Sequence, residues 1–198
     1  MTGQSERFNE AIERLDTLHG DDPRIERVDG TDIPHELLYA QRMSAWLERV
    51  APAAPETLRL AVRAQHLQRW RIPRDDYPRD RPGYLTWRRD LGRRQAEQAA
   101  EVLRNVGYDE DECAQVARWI RKEGLRRDPN TQALEDTACL VFLEYYLADF
   151  AKEHDEDKLI RIVQKTWKKM SPRGHELALS ISLSEPEKRL VEKALASA

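Results

Sequence analysis

The stretch from Asp128 to Lys152 constrains what this chain can fold into more than any other. Asp128 precedes Pro129, which puts a helix-capping side chain ahead of a residue whose fixed φ suits a first helical turn. A helix of about 24 residues is expected to begin there, with neither glycine nor further proline inside it. Its middle, Ala138-Cys139-Leu140-Val141-Phe142-Leu143, is apolar all round, so other helices must surround it. Only 8 glycines and 10 prolines punctuate the 198 residues, and Ala, Leu, Arg and Glu fill most intervals. The expectation is an all-α bundle in a single domain, 1–198, around a central buried helix.

Other segments supply the surrounding helices. From Ser5 to Leu18, Phe8, Ile12, Leu15 and Leu18 recur at helical spacing. After a polar connection, Pro34 opens a helix that runs to about Val50, and a third is expected from Glu56 to Trp70. Pro73, Pro78 and Pro82 then make an arginine-rich loop or insertion, about 71–90. Helical patterns resume over Tyr84–Val106, closed by Gly107, and over Asp109–Glu123, Asp155–Lys169 and Glu185–Ala196, the last with a Ser184/Glu187 capping box. No run approaches the roughly 18 to 20 apolar residues of a membrane helix, and the first residues lack the apolar core of a secretory signal. A soluble cytoplasmic protein without a membrane partner is expected, with Cys113 and Cys139 as reduced packing thiols.

Charge is the second constraint. The formal net charge of -3 excludes a wholly basic nucleic-acid coat and a strongly acidic tail. It is unevenly spread: from Arg59 to Arg94 there are eleven arginines and four aspartates, a local excess of +7 that leaves -10 for the rest. Arginine forks match phosphate, and Trp70, Tyr77, Tyr84 and Trp87 offer faces on which a base could stack. The segment therefore points to an anionic ligand through Arg69, Arg71, Arg74 and Trp70, or else to arginines paired with acids on adjacent helices.

Four further residues could carry chemistry. Asp136 lies two turns inside the central helix on the face of Leu140 and Leu143, where a carboxylate must be paired, hydrogen-bonded or metal-bound. Glu135 faces Cys139 and Phe142 and raises the same question; for both, the helix dipole or an arginine is the bland answer. His66 falls on the stripe of Val62 and Trp70, and His35 heads its helix. Singly each histidine reads as structural. Together, two histidines and a carboxylate make a set of three ligands for a divalent metal, which could activate water.

That order, a His at a helix head, a second about 30 residues on, and an Asp about 70 further in Leu134-Glu135-Asp136-Thr137-Ala138-Cys139-Leu140, resembles the HD-domain superfamily of metal-dependent phosphohydrolases. Ala64-Gln65-His66 through Arg74 and Glu135-Asp136 through Glu144 are more closely similar to an uncharacterised bacterial family described only as a domain of unknown function. The resemblance covers about residues 30–170 and implies an HD-like helical bundle that hydrolyses a nucleotide or another small phosphorylated compound. His35, His66 and Asp136 would hold Mn, Fe, Zn, Ni, Co or Mg, Glu135 would orient water or act as general base, and Lys122 would add a phosphate contact. Leu67 stands where that superfamily has an aspartate ligand. A neighbour such as Glu135 or Gln65 then completes the site, or the metal is held weakly, or the scaffold has lost metal and catalysis and binds a nucleotide or RNA through its Arg and aromatic segment. A helical interaction protein, the third alternative, would have no cavity near His66.

Overall fold

Ser5 accepts a hydrogen bond from the backbone N–H of Phe8 and so starts α1 (Glu6–Gly20), whose Phe8, Ala11 and Leu15 are buried. This is a computed structural model, and it describes residues 5–196; residues 1–4 and 197–198, the ends of the expected domain, lie outside the described residues. The polar connection after α1 holds a hairpin of β1 (Ile25–Val28) and β2 (Thr31–Pro34), antiparallel with Val28 opposite Thr31. Asp29 and Gly30 form its turn at positive φ, and this Asp-Gly pair is the one hairpin signal in a charged stretch. Next comes α2 (His35–Val50), whose first turn is held from afar: the backbone N–H of Glu36 donates to buried Asp22 at 3.1 Å.

The third helix is shorter than its periodicity suggests. Helix α3 (Glu56–Arg63) ends seven residues before Trp70. The cause is a competing donor: the Arg63 carbonyl, which would accept from Leu67 in a continuing helix, faces Nε2 of buried His19 at 2.9 Å. Leu67 donates to Ala64 instead and buries its side chain in the core. His66 and Gln68 consequently take positive φ, and a single tight turn, Arg69–Arg71, follows.

The proline-rich loop lies against the first turn of α4 (Arg81–Asn105), which Asp80 caps. A Cβ at Gly83 would sit 2.2 Å from the Pro78 carbonyl oxygen, so this close approach requires glycine. A reciprocal Asp109/Glu112 box starts α5 (Glu110–Ile120). Asp128 caps α6 (Pro129–Val141) as expected, and the run continues through a wider π turn, Phe142–Tyr146, into α7 (Leu147–Lys152). Then follow α8 (Glu156–Lys169), α9 (Pro172–Leu179), which the sequence reading lacked, and α10 (Glu185–Ala196).

Helix α6 touches α2, α3, α5, α8 and α9, and its Leu134, Thr137 and Leu140 are fully buried. With ten helices and one small hairpin among the described residues, the fold is all-α. None of the described helices is long and apolar enough to cross a membrane. Cys113 and Cys139 are buried free thiols.

Candidate functional site

Seven pieces of chain, Arg24 before β1 among them, meet beside the second half of α6 around a cavity of about 490 Å3. The head of α2 brings His35, Glu36 and Tyr39, and the turns after α3 bring His66 and Arg69. Tyr84 and Arg88 come from α4, and Lys122 from the residues after α5. From α6 and its π turn come Glu135, Cys139, Phe142 and Tyr146, and from α8 Thr166 and Lys169. The wider turn coincides with the two aromatic residues, in keeping with the frequent placement of π turns at working sites.

His66 is fixed on three sides. Its ring stacks on Tyr39 with centroids 4.1 Å apart, Nδ1 lies 3.5 Å from Glu36 Oε2, and Nε2 lies 2.9 Å from the Arg69 guanidinium. Arginine can only donate, so Nε2 is the acceptor and the proton sits on Nδ1, facing Glu36. Burial and the adjacent Arg69 cation hold the imidazole far below its ordinary range, at about 3. Burial works against ionised Glu36 too, but contacts with His66 and Arg24, the latter at 2.7 Å, outweigh it and bring the carboxyl down to about 2. At neutral pH the pair is therefore imidazole and carboxylate.

Glu135 enters from the opposite wall and is shared by two lysines, Lys122 at 2.6 Å and Lys169 at 3.4 Å. Burial raises its pKa, yet the two cations win and the carboxyl falls to about 2. Burial together with Glu135 pushes the Cys139 thiol up to about 12, which removes it as a nucleophile at neutral pH. Arg69 and Arg88 have no carboxylate within ion-pairing distance among the described residues, although both border the cavity. Burial and Arg88 lower the pKa of Arg69, although attraction to Glu36 opposes them, and the guanidinium also lies over the Trp87 ring at 5.0 Å. His66 and Lys122 carry a further sign: both have positive φ, 64° and 57°, where residues with a Cβ are disfavoured.

The structure thus gathers His35, His66, Glu135, Arg69 and Lys122, and leaves out four expected residues. Asp136 does not meet the histidines. Successive helical residues point about 100° apart, so Glu135 takes the cavity face and Asp136 faces α9. There it accepts hydrogen bonds from the Ser171 backbone N–H at 2.8 Å, from the Ser171 hydroxyl and from Gln132 at 2.9 Å, and a Cβ at Gly174 would lie 2.9 Å from its carboxyl. It ties down the start of α9. Arg74 donates to the carbonyls of Tyr77 and Asp80 at 3.0 and 3.4 Å and so braces the loop. Arg71 is exposed and Trp70 half-buried, both outside the lining.

These placements do not fit the expected metal set. Asp136 is spent on Ser171, Nδ1 of His35 is 2.5 Å from Glu26, and a guanidinium faces the one free nitrogen of His66. No group of three or more metal-binding side chains occurs among the described residues.

Several lining residues escaped the sequence reading. Tyr39 lies one helical turn after both His35 and Glu36 and could have been found by that spacing; Arg88 sits in the arginine-rich segment; Lys169 and Arg24 carry no local signal. Comparison with known proteins gives one positive finding: residues 9–191 match the family model described as Domain of unknown function (DUF4202). The chain belongs to that family. DUF4202 thus spans every residue that lines the cavity, from Arg24 to Lys169. No curated protein and no solved structure matches the chain.

Proposed function

We propose that this cavity binds a phosphorylated small molecule with a planar ring, a nucleotide in class, without help from a metal ion. The observation that carries the reading is Arg69, a half-buried guanidinium in the wall with no carboxylate within ion-pairing distance, beside Arg88, an exposed cation likewise without one among the described residues. Five cationic side chains border the cavity against two carboxylates, so an incoming anion would be favoured there. Phosphate suits the arginine forks, while Tyr84, Phe142 and Tyr146 offer faces for a ring. The volume is that of a small-molecule site, which favours a single nucleotide over an RNA strand. In this reading the chain is a single HD-like helical scaffold that keeps the ligand cavity and lacks the metal ligands.

Isothermal titration calorimetry with nucleotides in the presence of EDTA tests it. Micromolar binding is expected, unaffected by the chelator, weakened by salt, and reduced at least about tenfold in Arg69→Met, the order of one charge-assisted hydrogen bond. Absence of binding by any phosphorylated compound would falsify the proposal.

The metal-dependent phosphohydrolase is the second reading. What favours it is that His35 and His66 border one cavity together with Glu36 and Glu135. It requires Arg69 to leave His66. Metal analysis of protein purified without chelator separates the two: the binding reading expects no bound metal, and a near-stoichiometric ion lost in His66→Ala would replace it with the hydrolase.

A further inference from the structure

Past Arg69 and Lys122 lies a smaller space of about 310 Å3, an annex to the cavity. His66, Arg69, Arg88 and Lys122 border both spaces. The annex adds Arg89 and Arg121, and no carboxylate and no Tyr, Phe or Trp ring lines it. Arg89 and Arg121 are anchored outward, to Asp90 at 3.5 Å and Glu123 at 2.6 Å, so the charges without a partner are those at the passage, Arg69 and Arg88.

Two glutamines give the annex its second character. Gln65 and Gln95 line it, each is 4% exposed, and the side-chain amide nitrogen of each is buried with no hydrogen-bond partner. Buried polar groups are almost always hydrogen-bonded, so two unpartnered donors in one small space are unusual. What both lack is an acceptor. Neither nitrogen is exposed on the wall of the annex as it stands, but a side-chain rotation would turn these unsatisfied donors into a space that has surplus positive charge and no acidic oxygen, which suits a ligand group made of acceptor oxygens. Phosphate is such a group. A nucleobase would find here only the His66 ring, already stacked on Tyr39, whereas the larger chamber holds Tyr84, Phe142 and Tyr146.

The geometry points to a nucleoside polyphosphate, a di- or triphosphate, as the ligand: its ring lies in the larger chamber, and its terminal phosphates pass between Arg69 and Lys122 into the annex, where Gln65 and Gln95 donate to their oxygens. This rests on the proposed nucleotide site and narrows it. Chain length becomes the determinant of affinity, because each added phosphate reaches donors that a monophosphate leaves empty.

Titration of one nucleoside as its mono-, di- and triphosphate, with tripolyphosphate as the ring-free control and EDTA throughout, decides it. Affinity should rise about tenfold with each phosphate beyond the first, the order of one charge-assisted contact, and tripolyphosphate should bind more weakly than the nucleoside triphosphate. Gln95→Glu places a negative charge against the terminal phosphate and should cut the tri-to-mono affinity ratio about tenfold. Arg88→Ala, exposed at the passage and therefore tolerant of replacement, should lower the same ratio even if the buried variant does not fold. Equal affinities for mono-, di- and triphosphate, or a ratio unchanged in Arg88→Ala, overturn the polyphosphate assignment while leaving the nucleotide site standing. Tripolyphosphate binding as tightly as the nucleoside triphosphate overturns the placement of the ring. If no phosphorylated compound binds, the nucleotide site itself falls.

Discussion

Helices α4 and α5 end in the same backbone turn with opposite residues at its key position. After α4, Gly107 donates to the Arg104 carbonyl and Tyr108 to Leu103, both at 3.1 Å; after α5, Lys122 donates to Trp119 at 2.9 Å and Glu123 to Arg118 at 3.1 Å. Both central residues are left-handed, at φ 91° and 57°. Glycine is the ordinary occupant of such a turn because it has no Cβ to strain. A lysine there costs on the order of 1 kcal/mol. The difference teaches what holds Lys122 in place: its amine reaches Glu135 in the cavity, whereas a Cβ at Gly107 would meet nothing within 4 Å. One turn serves only to end a helix, and the other ends a helix and aims a charge.

That contrast can be broken in four ways, beginning with the largest expected effect. Replacing both Lys122 and Lys169 by Met should strand the Glu135 carboxylate and destabilise the fold by about 3–5 kcal/mol in urea unfolding, with most of it recovered on adding Glu135→Gln. An unchanged midpoint in the double variant would show that the ion pairs do not hold the α5 turn.

Acid should act on the cavity side next. Glu36 and Glu135 have folded pKa values near 2 against ordinary values of 4.5, so the stability they contribute is present above pH 4.5 and lost as pH falls toward 2. His66 adds to the loss: between pH 6.5 and about 3 the unfolded chain binds a proton that the folded ring refuses. Stability should therefore decline from about pH 6.5 downward, and more steeply below pH 4.5. Buried His19, whose pKa burial also lowers, acts in the same window, so in His66→Gln unfolding followed by circular dichroism should show a shallower decline between pH 6.5 and 4.5; an unchanged slope would assign it elsewhere.

At the other turn, Gly107→Lys should lower stability by about 1 kcal/mol, a melting shift of roughly 2–4 °C, since open space leaves only the backbone preference at stake. The smallest effect is the reverse exchange: Lys122→Gly combined with Glu135→Gln should gain up to about 1 kcal/mol by relieving the strained backbone. Nucleotide affinity should fall at the same time, and a variant that gains stability while still binding would separate the strain from the site.

Much of the fold could be read from local pattern. Ser5, Asp109 and Asp128 each accept a hydrogen bond from the first turn of the helix they precede, and the run 129–152 is helical throughout. These features depend on residues within a few positions of one another. Helix α9 shows how a local signal can be passed over: Ser171-Pro172 repeats the cap-then-proline order of Asp128-Pro129, but a basic stretch before it reads as a solvated helix end. The candidate site was only half visible. His35, His66, Glu135, Arg69 and Lys122 converge, while Arg71, Arg74, Trp70 and Asp136 serve elsewhere or stay outside.

The amino-acid order by itself determined the helical class, the buried central helix and most helix starts, because spacing and capping are settled among near neighbours in the chain. Tertiary structure decided where α3 stops, which of Glu135 and Asp136 enters the cavity, and which arginines remain without a carboxylate. The first two outcomes turn on partners outside the local stretch, His19 for Arg63, Ser171 for Asp136 and Lys122 for Glu135, and the third on where the carboxylates end up; all are settled only once the helices have packed.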